Sequence, residues 1–211
     1  YRPRLMLRIL GRDTSSNVQK VLWAAGELGL DFEREDIGGK FGGNDTPDYL
    51  ALNPNGYVPT LIDGDYTLWE SNSIVRYLAA THGMGTLWPA DVRIRGSAER
   101  WMDWQIATLS PAMVTVFRGL IRTPPEERDM AAIAAARDRT ARLFAMLDAA
   151  LAGSDFVAGR HFTMGDIPVG IAAYRWYHLD IEREDFRNLE RWYRRLAERP
   201  AYREHIMKPL A

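Results

Sequence analysis

A proline set directly in front of an apolar strand constrains this chain more than any other feature: Gly56-Tyr57-Val58-Pro59-Thr60-Leu61. Proline has no N–H to give to a ladder, so Pro59 belongs at the first residue of a strand or in a turn. With a cis Val58-Pro59 bond, the turn leaves the N–H and C=O of Val58 facing outward, ready for an extended ligand. Glu70-Ser71 follows and opens a helical pattern. A helix start carries free N–H groups and a positive dipole end, which attract a carboxylate. A strand-like edge beside an anion pocket suits a small peptide with a free carboxyl end.

The stretches around this segment alternate between strand and helix signals. Leu5–Leu10 reads as a short, mostly apolar and therefore central strand. Ser15-Ser16-Asn17 supplies three successive N-cap residues before a helix over Val18–Leu28 that ends at Gly29. Asp31–Ile37 is a second strand, followed by a flexible Gly-rich loop at Gly38–Gly43 and a helical turn at Asp48–Leu52. Thr60–Ile62 and Thr67–Trp69 flank the hairpin signal Asp63-Gly64-Asp65, and Ser71–Ala80 is the next helix. The order is βαβαββα. Strand signals stop at 83–90, which reads as a linker between a domain at 1–82 and an all-helical domain at 91–211. In the latter, Ile94–Ile121 is a long helical run with a kink expected at Ser110-Pro111. Pro124-Pro125 is expected to start the next helix, through Leu151. Thr163-Met164-Gly165-Asp166 has the spacing of a capping box, which reads as structural rather than catalytic.

Composition narrows the chemistry. A net charge near −1 gives no long-range field for nucleic acid or for an anionic membrane surface. No apolar run approaches the roughly 20 residues that span a bilayer, and no signal peptide is visible, so the cytoplasm is the expected compartment. There are no cysteines, which excludes disulfides, thiolate metal sites and an enzymic Cys nucleophile. His82, His161, His178 and His205 are scattered without metal-ligand spacing, so no metal is expected.

The run Val58-Pro59-Thr60-Leu61 through Glu70-Ser71 to Ile74-Val75-Arg76-Tyr77-Leu78 resembles the glutathione-binding segment of the cytosolic glutathione transferases. Ser15–Val21 resembles the Ser-x-Asn-x-x-Arg-Val pattern of the Ser-type, theta- or phi-like members, and the Thr163–Asp166 box and the ending Arg191–Tyr202 resemble their C-terminal domain. The resemblance implies a thioredoxin-like N-terminal domain, an all-α C-terminal domain and a homodimer. It also implies attack by the glutathione thiolate on a small hydrophobic electrophile, with glutathione as cosubstrate and no metal. Glutathione-dependent peroxidase or isomerase chemistry is the alternative within the family, and a non-catalytic docking module the alternative outside catalysis.

Only a thiolate is a good nucleophile, and a free thiol titrates near 8.5. Lowering that by about 2 units requires about 2.7 kcal/mol of preference for the anion, which a hydroxyl donor and a helix N-terminus can supply together. Carried over by resemblance, Ser15 is that donor; Ser16 and Asn17 stay open as alternatives, since all three equally suit helix capping. The resemblance further gives Ser71 to the γ-glutamyl carboxylate, Glu70 to its ammonium, and Val58 with Pro59 to the cysteinyl backbone. Lys40, in the Gly-rich loop, is the candidate for the glycyl carboxylate. Tyr57 stands where many relatives carry a polar or basic side chain. Phe41, Trp104, Met113 and Phe117 are candidates for the apolar wall of the second substrate, with plain core packing as the competing reading of each.

Overall fold

The computed structural model describes residues 6–211; Leu5, read above as the first residue of a strand, lies outside them. The chain divides into two compact units, one ending at Trp88 and one running from Pro89 to Ala211.

In the first unit, β1 (Leu7–Leu10), β2 (Phe32–Glu35), β3 (Thr60–Asp63) and β4 (Tyr66–Trp69) form one sheet in the order β2-β1-β3-β4. Helices α1 (Ser16–Glu27), α2 (Pro47–Leu52) and α3 (Ser71–His82) interleave with them in the order βαβαββα. The apolar first strand is central, with Leu7, Ile9 and Leu10 buried; Met6 falls outside it and is half exposed. α1 is buried from Val18 to Ala25 and packs against α3, which contributes Ile74, Val75 and Leu78. Each such aliphatic side chain stabilises the unit by about 1.5–3 kcal/mol. The Gly-rich loop is more ordered than expected. It contains a 3-10 turn at Gly39–Phe41 and closes on itself where Gly38 N–H donates to Gly42 C=O at 2.7 Å.

Strand direction positions the site. β1 pairs parallel with β2 and antiparallel with β3, and β3 pairs antiparallel with β4. The C-terminal ends of β1, β2 and β4 and the start of β3 therefore share one end of the sheet. Gly11–Ser15, Ile37–Gly43, Val58-Pro59 and Glu70-Ser71 follow or precede those ends and are gathered there.

The second unit is helical: α4 (Val92–Trp104), α5 (Ser110–Phe117), α6 (Met130–Ala150), α7 (Asp166–His178), α8 (Arg187–Ala197) and α9 (Pro200–His205). Pro111 does not break the long run. A π turn at Gln105–Leu109 joins α4 to α5. The wider turn relieves the clash of the proline ring with the preceding carbonyl and tolerates its missing N–H. Pro124-Pro125 opens only a 3-10 turn at Pro125–Glu127. α6 starts later, where Asp129 caps it by accepting from Ala132 N–H at 2.9 Å, so the cap rather than the prolines sets the start.

The Thr163–Asp166 box is half formed: Asp166 accepts from Thr163 N–H, whereas Thr163 Oγ1 accepts from Gly165 N–H at 3.3 Å, and the acid sits at the centre of a wider network. Asp166 is fully buried at the start of α7. Its Oδ2 accepts from the backbone N–H and the hydroxyl of Thr163 at 2.9 and 3.3 Å. Its Oδ1 accepts from Val157 N–H at 3.0 Å and from Trp192 Nε1 at 2.9 Å. Burial pushes the carboxyl up to about 6, against the pull of these donors, which favour the anion. Among the described residues, no helix is long and apolar enough to cross a membrane, and no cluster of His, Asp or Glu could hold a metal ion.

Candidate functional site

At the shared sheet end a groove of about 100 Å³ is lined by Asn17, Tyr57, Val58, Pro59, Trp69, Glu70 and Ser71, with Asn53 and Asn55 at its floor and rim. The Val58-Pro59 bond is cis. The carbonyl of Tyr57 is turned inward and held twice, by Tyr49 Oη at 2.6 Å and by Asn53 Nδ2 at 2.8 Å. Both groups also bond Thr60 Oγ1, at 2.9 and 3.2 Å, tying the peptide to the first residue of β3. A trans peptide sets its N–H opposite its C=O, so the inward Tyr57 carbonyl turns Val58 N–H the other way. Among the described residues neither Val58 N–H nor Val58 C=O has a hydrogen-bond partner. Val58 thus presents one donor and one acceptor to an extended chain, as a sheet edge does.

The Tyr49 phenol is one of the two groups of this clamp. Burial raises the titration of Tyr49 above its ordinary range, so it stays a neutral donor. Tyr49→Phe is expected to cost about 1–2 kcal/mol, because the Tyr57 carbonyl and the buried Thr60 hydroxyl each lose a partner. A urea titration with an unchanged m-value and a lower midpoint would register it.

Ser71 forms the other half of the groove. It is 3% exposed as the first residue of α3, and its hydroxyl donates to Asn17 Oδ1 at 3.3 Å. Lys20 Nζ, itself 2% exposed, donates to that hydroxyl at 3.4 Å from beneath. A helix N-terminus over a buried ammonium gives an anion pocket two sources of positive potential. Glu70 takes a left-handed backbone with φ 73°, an uncommon conformation for a side-chain-bearing residue, and stands exposed at the rim.

Ser15 is half-buried at the N-cap of α1, with extended backbone (φ −78°, ψ 122°). Its carbonyl accepts from Gln19 N–H at 2.8 Å, but its hydroxyl makes no capping bond to the helix. The geometry is that of a cap, while the side chain is not spent on capping. Ser16 is the first helical residue, and Asn17 is engaged with Ser71. Ser15 and Lys40 are not part of the groove lining; Lys40 is exposed, with Nζ 5.0 Å above the ring of its neighbour Phe41.

The four wall candidates separate. Phe41 in the first unit is 47% exposed and Trp104 in the second is half-buried. Met113 and Phe117 are 5% and 4% exposed, and the Arg175 guanidinium lies 4.1 Å over the Phe117 ring. Both are buried on α5 in this structure. Tyr49, Asn53 and Lys20 were not singled out from the sequence. Asn53-Pro54-Asn55-Gly56 reads as an ordinary turn, and nothing local marks Asn53 as 2% exposed.

The N-terminal domain model of glutathione S-transferases matches residues 14–81, and the C-terminal domain model matches 109–200. The chain is 46% identical over 208 residues to glutathione S-transferase GstB of Escherichia coli (strain K12), covering 98% of this chain and 100% of GstB. It is 35% identical over 164 residues to glutathione S-transferase 3 of Zea mays, covering 76% and 73%. The theta class glutathione S-transferase of the citrus canker pathogen Xanthomonas axonopodis pv. citri, solved with glutathione bound, superposes with a TM-score of 0.94 at 49% identity, covering 97% of this chain and 99% of that one. With a thioredoxin-like unit ahead of a helical one and these relatives along nearly its whole length, the chain belongs to the glutathione S-transferase family and is an enzyme of that kind.

Proposed function

We propose that the sheet-end groove takes glutathione and that the enzyme joins its sulfur to a small hydrophobic electrophile, with Ser15 donating a hydrogen bond to the thiolate. The observation that carries this is the pairing of an unpartnered Val58 edge with the buried Ser71 at the α3 N-terminus. A peptide with an α-carboxylate at one end needs both. The cysteinyl unit pairs with Val58, behind Pro59, and the γ-glutamyl carboxylate takes Ser71. The ammonium beside that carboxylate faces Glu70. The loop after β1 carries Ser15 to the same sheet end, where its uncommitted hydroxyl and the α1 dipole favour the anion. The glutathione-bound Xanthomonas relative supports the choice of cosubstrate. Phe41, exposed at the Gly-rich loop, is an apolar contact for the electrophile. The family resemblance supports a homodimer, which sedimentation velocity at micromolar protein would register as about twice the monomer mass.

The test is calorimetric titration with glutathione, then turnover of 1-chloro-2,4-dinitrobenzene. Saturable binding with chloride release and a dinitrophenyl thioether product is the expected result. Binding without turnover of this or other aryl and alkyl halides would turn the reading toward peroxide reduction or isomerisation. Absence of binding would sink it.

A further inference from the structure

Given a glutathione groove, on which this rests, we propose that Arg12 anchors the glycyl carboxylate, the place that Lys40 holds in the sequence reading. Sheet order sets the direction of the ligand. Ser71 follows β4, Val58 precedes β3, Arg12 follows β1 and Gly38 follows β2, in a sheet ordered β4-β3-β1-β2. A peptide with its α-carboxylate at Ser71 and its middle residue on Val58 therefore runs its far end toward β1. From β4 to β1 is two strand spacings, about 10 Å, and three extended residues span roughly 10 Å.

Arg12 is built into place at that distance. Its N–H donates to Ile37 C=O at 3.0 Å, and its C=O accepts from Ser15 N–H at 3.2 Å. Its side chain lies against the bare α-carbons of two glycines in the left-handed region. A Cβ on Gly39 (φ +61°) would come within 2.8 Å of Nε and 3.0 Å of Cζ. A Cβ on Gly38 (φ +82°) would meet Nη1 at 3.1 Å and Val58 Cγ1 at 3.4 Å, which places the guanidinium beside Val58. Only glycine leaves room for this arrangement at both positions. Among the described residues no carboxylate pairs with Arg12; Asp36, the residue before the Ile37 carbonyl that Arg12 N–H bonds, is held by Arg34. Arg12 is half-buried, and its guanidinium, pre-positioned and without a counter-ion, binds a carboxylate in two-pronged fashion. Lys40, on an exposed stem, lacks such support.

The experiment compares glutathione with its glycyl monoethyl ester in wild type, Arg12→Gln and Lys40→Gln, using neutral 1-chloro-2,4-dinitrobenzene as electrophile. For wild type, KM is expected to rise about 10- to 100-fold on esterification, the worth of a charge-assisted pair. In Arg12→Gln, KM for glutathione rises by the same factor while kcat changes less than about threefold. The ester then costs that variant nothing further. Lys40→Gln keeps the wild-type discrimination. The ester-to-acid ratio is taken within one protein, so a smaller folded fraction cancels. Full discrimination in Arg12→Gln, or its loss in Lys40→Gln instead, would overturn the assignment. Failure of wild type to bind glutathione at all would instead overturn the proposed function, and this assignment with it.

Discussion

Ser15→Ala is expected to lower kcat/KM at pH 6.5 about 10- to 100-fold, the loss of one hydrogen bond to an anion, while glutathione still binds within about threefold of wild type. The physical content lies in the pH profile. Without the hydroxyl the bound thiol moves up by about 1–2 units toward its free value near 8.5. The rising limb of the rate should shift by the same amount, and most of the lost activity should return by pH 9. Ultraviolet difference spectra of bound thiolate would register the same shift without turnover. Ser16→Ala and Asn17→Ala are the controls. Ser16 sits one residue inside α1, and Asn17 is engaged by Ser71, so Asn17→Ala is expected to weaken binding rather than move the pH profile. If Ser16→Ala shifts the profile and Ser15→Ala does not, the thiolate donor is the neighbouring hydroxyl.

The largest effect on stability is expected at Asp166, in the helical unit. Asp166→Ala strands two backbone N–H groups, the Trp192 indole N–H and the Thr163 hydroxyl in a fully buried setting. Unsatisfied buried donors cost about 1–3 kcal/mol each, partly recovered by relaxation, so a loss of about 3–5 kcal/mol is expected. Denaturant titration of the purified variant would measure it. Acidity modulates the effect. The folded carboxyl titrates near 6 and the unfolded one near 3.8, so the folded state holds the proton more tightly. The group's stabilisation is therefore fully present below pH 3.8 and falls as pH rises through 6, by up to about 3 kcal/mol. The gap between wild type and Asp166→Ala should narrow over that interval and stay level above it. A gap that widened instead would mean that the four donors, rather than burial, dominate the titration of Asp166.

Much of the fold was legible in the residues because local rules and global packing agree there. The apolar Leu7–Leu10 stretch is central, Asp63-Gly64-Asp65 turns, and Asp166 reaches back to the N–H of Thr163 three residues before it. Each of these signals lies within a few residues of chain, where propensity and periodicity operate. Val58-Pro59 and Glu70-Ser71 were legible for the same reason: an imino acid before a strand and a small hydroxyl at a helix start carry their geometry with them. The helix start next to Pro124-Pro125 was misjudged, because whether a proline starts a helix or stands aside in a short turn depends on which neighbouring cap competes with it, here Asp129. What the chain could not disclose residue by residue was which distant groups converge. Nothing local tells Tyr49 that it holds the Tyr57 carbonyl, Lys20 that it lies beneath Ser71, or Arg12 that two glycines of another loop make room for it. Those meetings follow from strand direction and order, which bring four loops to one end of the sheet. They arise from packing between segments tens of residues apart, and no spacing in the sequence encodes it.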